Sequence, residues 1–195
     1  MVLYLCIITL CSLAISGIAA YAYSANFWLI LGLTWVAILL EIVIDGAVCG
    51  IARGLPKKCA RHESKIFTVS AKEKKFYERL KIRAWKEKIP EIGHFTGFRK
   101  NKIADPKSVE YLERFLMEAC YGEVGHFFSL FFGFLVLLLF PIHNAWFAIA
   151  IPVAIVNALL NLPTIFVLRY NCYKLEILRK SNLKKQAREI KKLAA

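Results

Sequence analysis

Lysine and arginine are missing from two long stretches of this chain, residues 1–52 and 115–168, although 27 of its 195 residues are basic. Eighteen of them fall in 53–114 and nine in 169–192. A charged side chain at the centre of a bilayer is expensive, and about 20 apolar helical residues cross the hydrocarbon core. Segments purged of positive charge and filled with Leu, Ile, Val and Phe therefore read as membrane spans. Four fit, at 2–21, 27–49, 124–140 and 145–168. The third is the shortest, so it stands nearly upright or extends back past Glu123.

A hydrophobic share of 58% beside a net charge of +13 is a pairing that compact soluble domains rarely show. The expected fold is all-α: one integral membrane domain of four transmembrane helices in two hairpins. The hairpins turn at 24–26 and 141–144, a helical cytoplasmic insertion occupies 53–122, and a basic tail occupies 169–195. The positive-inside rule puts both basic blocks and both termini in the cytoplasm of a multi-pass cell-membrane protein. A cleaved signal peptide is the rival for the first span, since Ala20–Tyr21–Ala22 is a small-x-small site. No basic n-region precedes it, and it is kept as a span.

The insertion carries its own helix signals. Ser70 and Glu73 in "SAKE" form a capping-box pattern, with Phe76, Tyr77 and Leu80 following at helical spacing. Pro90 and Gly93 interrupt the pattern, and Asp105 with Pro106 supplies an N-cap and first-turn proline for a second helix. There Leu112, Phe115, Leu116 and Ala119 share one face, against Glu110, Glu113, Arg114 and Glu118. Basic helices with aromatic residues suit a surface of anionic lipid headgroups. No nucleic-acid module is recognisable, so nucleic acid is not an expected partner. Six cysteines without a C-x-x-C pair indicate neither a disulfide framework nor a zinc site.

Polar residues inside or beside the spans are the candidates for chemistry. Glu123 and His126 in "GEVGH" stand three apart on one helical face, where a carboxylate could orient an imidazole as general base. Glu91 and His94 repeat the spacing, but Pro90 and Gly93 argue for a loop. Two such motifs, with Glu41 and Asp45 one turn apart in the second span, invite comparison with carboxylate di-metal bundles. The poor helical context of Glu91 and His94 argues against that, and no metal is expected. Glu41 and Asp45 should face the bundle interior or a wet cavity, because an ionised carboxylate costs roughly 2.5 to 3.5 kcal/mol at mid-helix. His62 and His143 receive no role. The nucleophile elbow, the P-loop, the H-E-x-x-H motif and a histidine followed four residues later by aspartate are all absent.

Three segments read together, "KIRAWKEKIPEIGH", "GEVGHFF" and "NLPTIFVLRYNCYKL", resemble the glycosyl-4,4'-diaponeurosporenoate acyltransferase family, small membrane proteins that attach a fatty acyl chain to a sugar hydroxyl of a glycosylated carotenoid. The matching residues are Trp85, Lys86, His94, Glu123, His126, Asn161, Pro163, Arg169, Tyr170, Asn171 and Leu175. Cys172, Tyr173 and Lys174 stand where the family carries Arg-Pro-Arg, and the turn before His94 differs by one residue. The resemblance implies an acyl donor, acyl-CoA or a similar thioester, and a lipid acceptor, with no resident cofactor. It also implies His126 as base, Glu123 orienting it, and Asn161, Tyr170 or Asn171 donating to the oxyanion. Lys86, Arg99, Lys100 and Arg169 would hold phosphates, with Trp85 and His94 lining the substrate site; Glu41 and Asp45, outside the resemblance, are added to that lining because of their place inside a span. Two other functions compete: a small integral-membrane lipid methyltransferase, and a non-catalytic protein that binds anionic lipid. The sequence carries no signal for oligomeric state.

Overall fold

The computed structural model describes residues 2–89, 103–138 and 143–193, and no strand occurs among them. The described residues form six α-helices: α1 (Val2–Ala22), α2 (Phe27–Gly54), α3 (Ala71–Arg79), α4 (Ile82–Trp85), α5 (Val109–Phe132) and α6 (Trp146–Leu193). Short 3-10 turns cover Lys57–Ala60, Lys86–Lys88 and Gly133–Leu138. Helices α1, α2, α6 and α5 with its 3-10 extension are long and apolar enough to cross a membrane.

The chain divides into two compact units, Met1–Gly54 with Val124–Ile165, and Leu55–Glu123 with Phe166–Ala195. Helices α5 and α6 supply residues to both. In the first unit α1 and α2 pack through small and hydroxylated side chains, the usual substitute for a hydrophobic driving force in lipid. Ser16 Oγ donates to Thr34 Oγ1 at 2.9 Å, and Thr34 Oγ1 donates to Ile30 O at 2.9 Å. Asn26 Oδ1 accepts from the backbone N–H of Trp28 (2.9 Å) and Leu29 (3.2 Å), capping α2 where the sequence expects a short turn. Trp146 and Ile149 at the start of α6 are fully buried against Ala37 and Val136.

In the second unit the predicted apolar face of α5 is the buried one: Leu112, Phe115, Leu116 and Ala119 are inside, while Glu110, Glu113 and Arg114 are exposed. The start of that helix differs from expectation. Ser108 Oγ accepts from Tyr111 N–H at 3.1 Å and is the cap, whereas Asp105 Oδ1 accepts from Lys107 and Ser108 N–H in a turn before it. Both Asp105 and Ser108 are good caps, and the one nearer the first buried leucine prevails. Ser70 caps α3 as its motif predicts, accepting from Glu73 N–H at 3.1 Å. Of the three residues that follow the motif at helical spacing, Tyr77 is buried while Phe76 and Leu80 are exposed.

Two spans are not separate elements. The third continues from the amphipathic helix, because nothing between Val109 and Phe132 interrupts it beyond two glycines. The fourth and the basic tail form one helix of 48 residues with Pro152 and Pro163 inside it. Residues 169–193 hold Leu, Lys, Arg, Glu and Ala with no Gly or Pro, so no stop signal separates tail from span.

Candidate functional site: a buried amide and carboxylate network

Glu41 and Asp45 lie one turn apart on α2, and Asn157 and Asn161 lie one turn apart on α6, so each pair projects from a single face. Within the first unit these faces meet. Asn157 Nδ2 donates to Glu41 Oε2 at 2.9 Å and to Asp45 Oδ1 at 3.2 Å. Asn161 Nδ2 donates to Asp45 Oδ2 at 3.0 Å, and approaches Asn157 O at 3.1 Å and Asn157 Oδ1 at 3.2 Å. Glu41 is 3% exposed and Asn161 6%, whereas Asp45, His126 and Asn157 are half-buried. Glu41 and Asp45 thus face α6 inside the first unit, where hydrogen-bond donors replace the water that a carboxyl group loses in lipid.

His126 on α5 joins this network through Asn161, with Nδ1 lying 2.7 Å from Asn161 Oδ1. The orientation of the Asn161 amide follows from its surroundings. One end faces a carboxylate oxygen, a carbonyl and an amide oxygen, all acceptors, so that end is the NH2. The opposite end is the oxygen, which only accepts, and His126 Nδ1 must therefore carry a proton. In the neutral ring the free lone pair is then on Nε2. An acceptor at Nδ1 that holds the histidine in one tautomer orients the general base in Ser-His-Asp and Cys-His-Asn enzymes, where it is a carboxylate or an amide; here it is an amide that a carboxylate anchors.

Glycine admits this packing. A Cβ on Gly133 would stand 2.8 Å from Glu41 Oε2 and 2.9 Å from Asn157 Nδ2, inside their hydrogen bond, and one on Gly125 would stand 2.9 Å from Cys49 Sγ.

The second unit holds a separate ionic centre. The Arg169 guanidinium donates from Nε and Nη2 to the two carboxylate oxygens of Glu73, at 2.5 and 3.1 Å, and from Nη1 to Ile66 O at 3.0 Å and to Glu123 Oε1. Tyr77 O–H donates to Glu73 Oε1 at 2.6 Å. Burial pushes the Glu73 carboxyl up, but the hydrogen bonds from Arg169 and Tyr77 outweigh it and hold the group below its ordinary value. Burial and the Glu73 carboxylate together push the Tyr77 phenol well up. Beside this centre the buried Tyr170 hydroxyl accepts from Arg83 Nε at 2.6 Å, and Lys174 Nζ stands 4.6 Å from the Tyr170 ring centroid.

The expected pairing of Glu123 with His126 takes a different form: the hydrogen-bond partner of the imidazole is Asn161, and that of Glu123 is Arg169. Arg169, expected on a phosphate, faces two carboxylates. Both hydrogens of the Asn161 amide, expected among the oxyanion donors, face acceptors within its own unit. Trp85 Nε1 donates to Leu80 O at 2.9 Å, and Lys86 Nζ lies 3.9 Å from Glu87. Asn171 is half-buried on α6. Glu91, His94, Arg99 and Lys100 lie outside the described residues. Sequence reasoning missed Asn157, whose signal was a lone amide four residues before Asn161 in an apolar run, and it missed Glu73 and Arg83 as partners. Among the described residues no three His, Cys, Asp or Glu side chains gather as a metal ion would require.

A family model described as glycosyl-4,4'-diaponeurosporenoate acyltransferase matches residues 61–181, more than half of the chain. No curated protein and no solved structure matches it.

Proposed function

The chain belongs to the glycosyl-4,4'-diaponeurosporenoate acyltransferase family and is an acyltransferase; from that premise we propose that it moves a fatty acyl group from a thioester such as acyl-CoA to a hydroxyl of a glycosylated lipid. A glycosyl carotenoid is the acceptor class that the family description supports. We assign the base to His126. Its Nε2 takes the proton of the attacking hydroxyl as the oxygen bonds to the acyl carbon, and the thiolate leaves. Asn161 and Asp45 act as positioning residues: the amide fixes the tautomer and the carboxylate fixes the amide. The single observation that carries this reading is the Asp45–Asn161–His126 chain of hydrogen bonds, at 3.0 and 2.7 Å.

The four long apolar helices support a multi-pass membrane protein, and the charge distribution supports cytoplasmic basic segments and termini in the cell membrane. With Arg169 neutralised by carboxylates, the phosphates of an acyl-CoA fall to Lys86, Arg99 and Lys100.

To test the base, His126→Ala is purified into nanodiscs and acyl transfer from labelled acyl-CoA to a glycosylated lipid is followed, with thermal unfolding as the control for folding. Turnover should fall by about 10²- to 10⁴-fold, the usual contribution of a positioned base. Undiminished turnover by well-folded H126A would exclude His126 from that role.

A further inference from the structure

Helix α3 carries apolar and basic side chains together on its outer side. Tyr77 turns inward, while Lys72, Lys75, Phe76, Arg79 and Leu80 are exposed and fall within about 140° of the helix circumference. Ile66, in the turn before the helix, is 75% exposed and Phe76 49%. The acidic residues of α3 are already engaged: Glu73 by Arg169, and Glu78 by Lys74 at 2.8 Å. No ion pair reaches Lys72, Lys75 or Arg79 among the described residues. Apolar tips beside unpaired cations suit the boundary between lipid tails and headgroups better than they suit water.

The depth of this face is fixed by α6, within the second unit. Phe166 lies near the end of the apolar run that closes at Leu168, and its ring centroid stands 6.1 Å from that of Phe76 and 5.6 Å from that of Tyr77. Arg169, the first charged residue after that run, holds Glu73 on α3 and accepts Ile66 O as a partner in the turn before it. Ile66 and Phe76 therefore sit at the level where α6 leaves its apolar segment. A spanning helix is surrounded there by headgroups, and anionic ones complement the three unpaired cations.

We propose that α3 and the turn before it form an interfacial anchor for anionic phospholipid. Ile66, Phe76 and Leu80 dip into the acyl boundary, while Lys72, Lys75 and Arg79 hold lipid phosphates with their stems lying along it. The Arg169 centre ties the anchor to the end of the span. None of this requires acyl transfer, so it is independent of the assignment of His126.

The test incorporates the photocrosslinker p-benzoylphenylalanine at Phe76, and separately at Ile66, in the full chain. The protein is held in nanodiscs of equal phosphatidylglycerol and phosphatidylcholine, and adducts are read by mass spectrometry. Both positions should give lipid adducts, with phosphatidylglycerol favoured at least about fivefold, the preference that one basic residue near the surface gives. The same probe at Ile190, exposed and about 30 Å beyond Arg169 along α6, should give none. Replacing Lys72, Lys75 and Arg79 together by Gln should bring the ratio to about one while lipid adducts persist. Ile66 keeps the test open where a probe at Phe76 prevents folding. Adducts to protein in place of lipid at both positions, lipid adducts as frequent at Ile190 as at Phe76, or a lipid ratio that the triple substitution leaves unchanged would overturn the anchor.

Discussion

Asn161 is a small residue with a large share of the first unit's polar wiring, since its amide meets Asp45, Asn157 and His126. Asn161→Ala should lower turnover by roughly 10- to 100-fold, less than loss of the base itself, because the imidazole survives but its tautomer is unfixed. Asp45→Asn in the same background should add little, as residues of one network are non-additive; full multiplication of the two effects in steady-state assays would show that they act separately. Arg169 tests the ionic centre of the second unit. Arg169→Met leaves Glu73 and Glu123 facing each other's charge without a counter-ion, and should destabilise the protein by roughly 3 kcal/mol by chemical denaturation. Because the native Glu73 carboxyl titrates below its ordinary value of 4.5, its contribution to stability is full above that pH and is lost as pH falls through the depressed native value. Wild-type protein should therefore lose stability more steeply below pH 4.5 than Glu73→Gln does in thermal unfolding across a pH series.

At the scale of elements, close approach is enforced by what side chains omit. Gly133 lies where a methyl group would intrude on the Glu41–Asn157 hydrogen bond. Gly133→Ala should lower the unfolding temperature despite alanine's better helix propensity, whereas at Gly17, with nothing within 4 Å, the same change should be neutral or stabilising. Equal responses at the two positions would show that packing against α2 and α6 is slack. Helix boundaries were less legible than helix existence. Asp105 and Ser108 are both competent caps, and only the burial of Leu112 chooses between them. The change of polarity after Leu168 suggests a separate tail, yet a helix continues through a change of surroundings when no residue breaks it.

At the scale of the whole molecule, the basic blocks predict orientation. Cys59 is exposed in the first block, and a membrane-impermeant maleimide should label it in inverted vesicles but not in intact cells. Labelling from outside would reverse the topology. The number of apolar helices and the burial face of α5 followed from sequence alone, because hydropathy and helical periodicity are local properties that any fold of this chain must satisfy. The polar residues worth attention were legible for the same reason: Glu41, Asp45, His126 and Asn161 stand out against apolar runs. Their pairing was not legible. Sequence spacing gave His126 to Glu123, its neighbour in the chain, and the tertiary structure gave it to Asn161, 35 residues away. Hydrogen bonds depend on which faces of distant helices meet, and spacing along one helix carries no information about the helix packed against it.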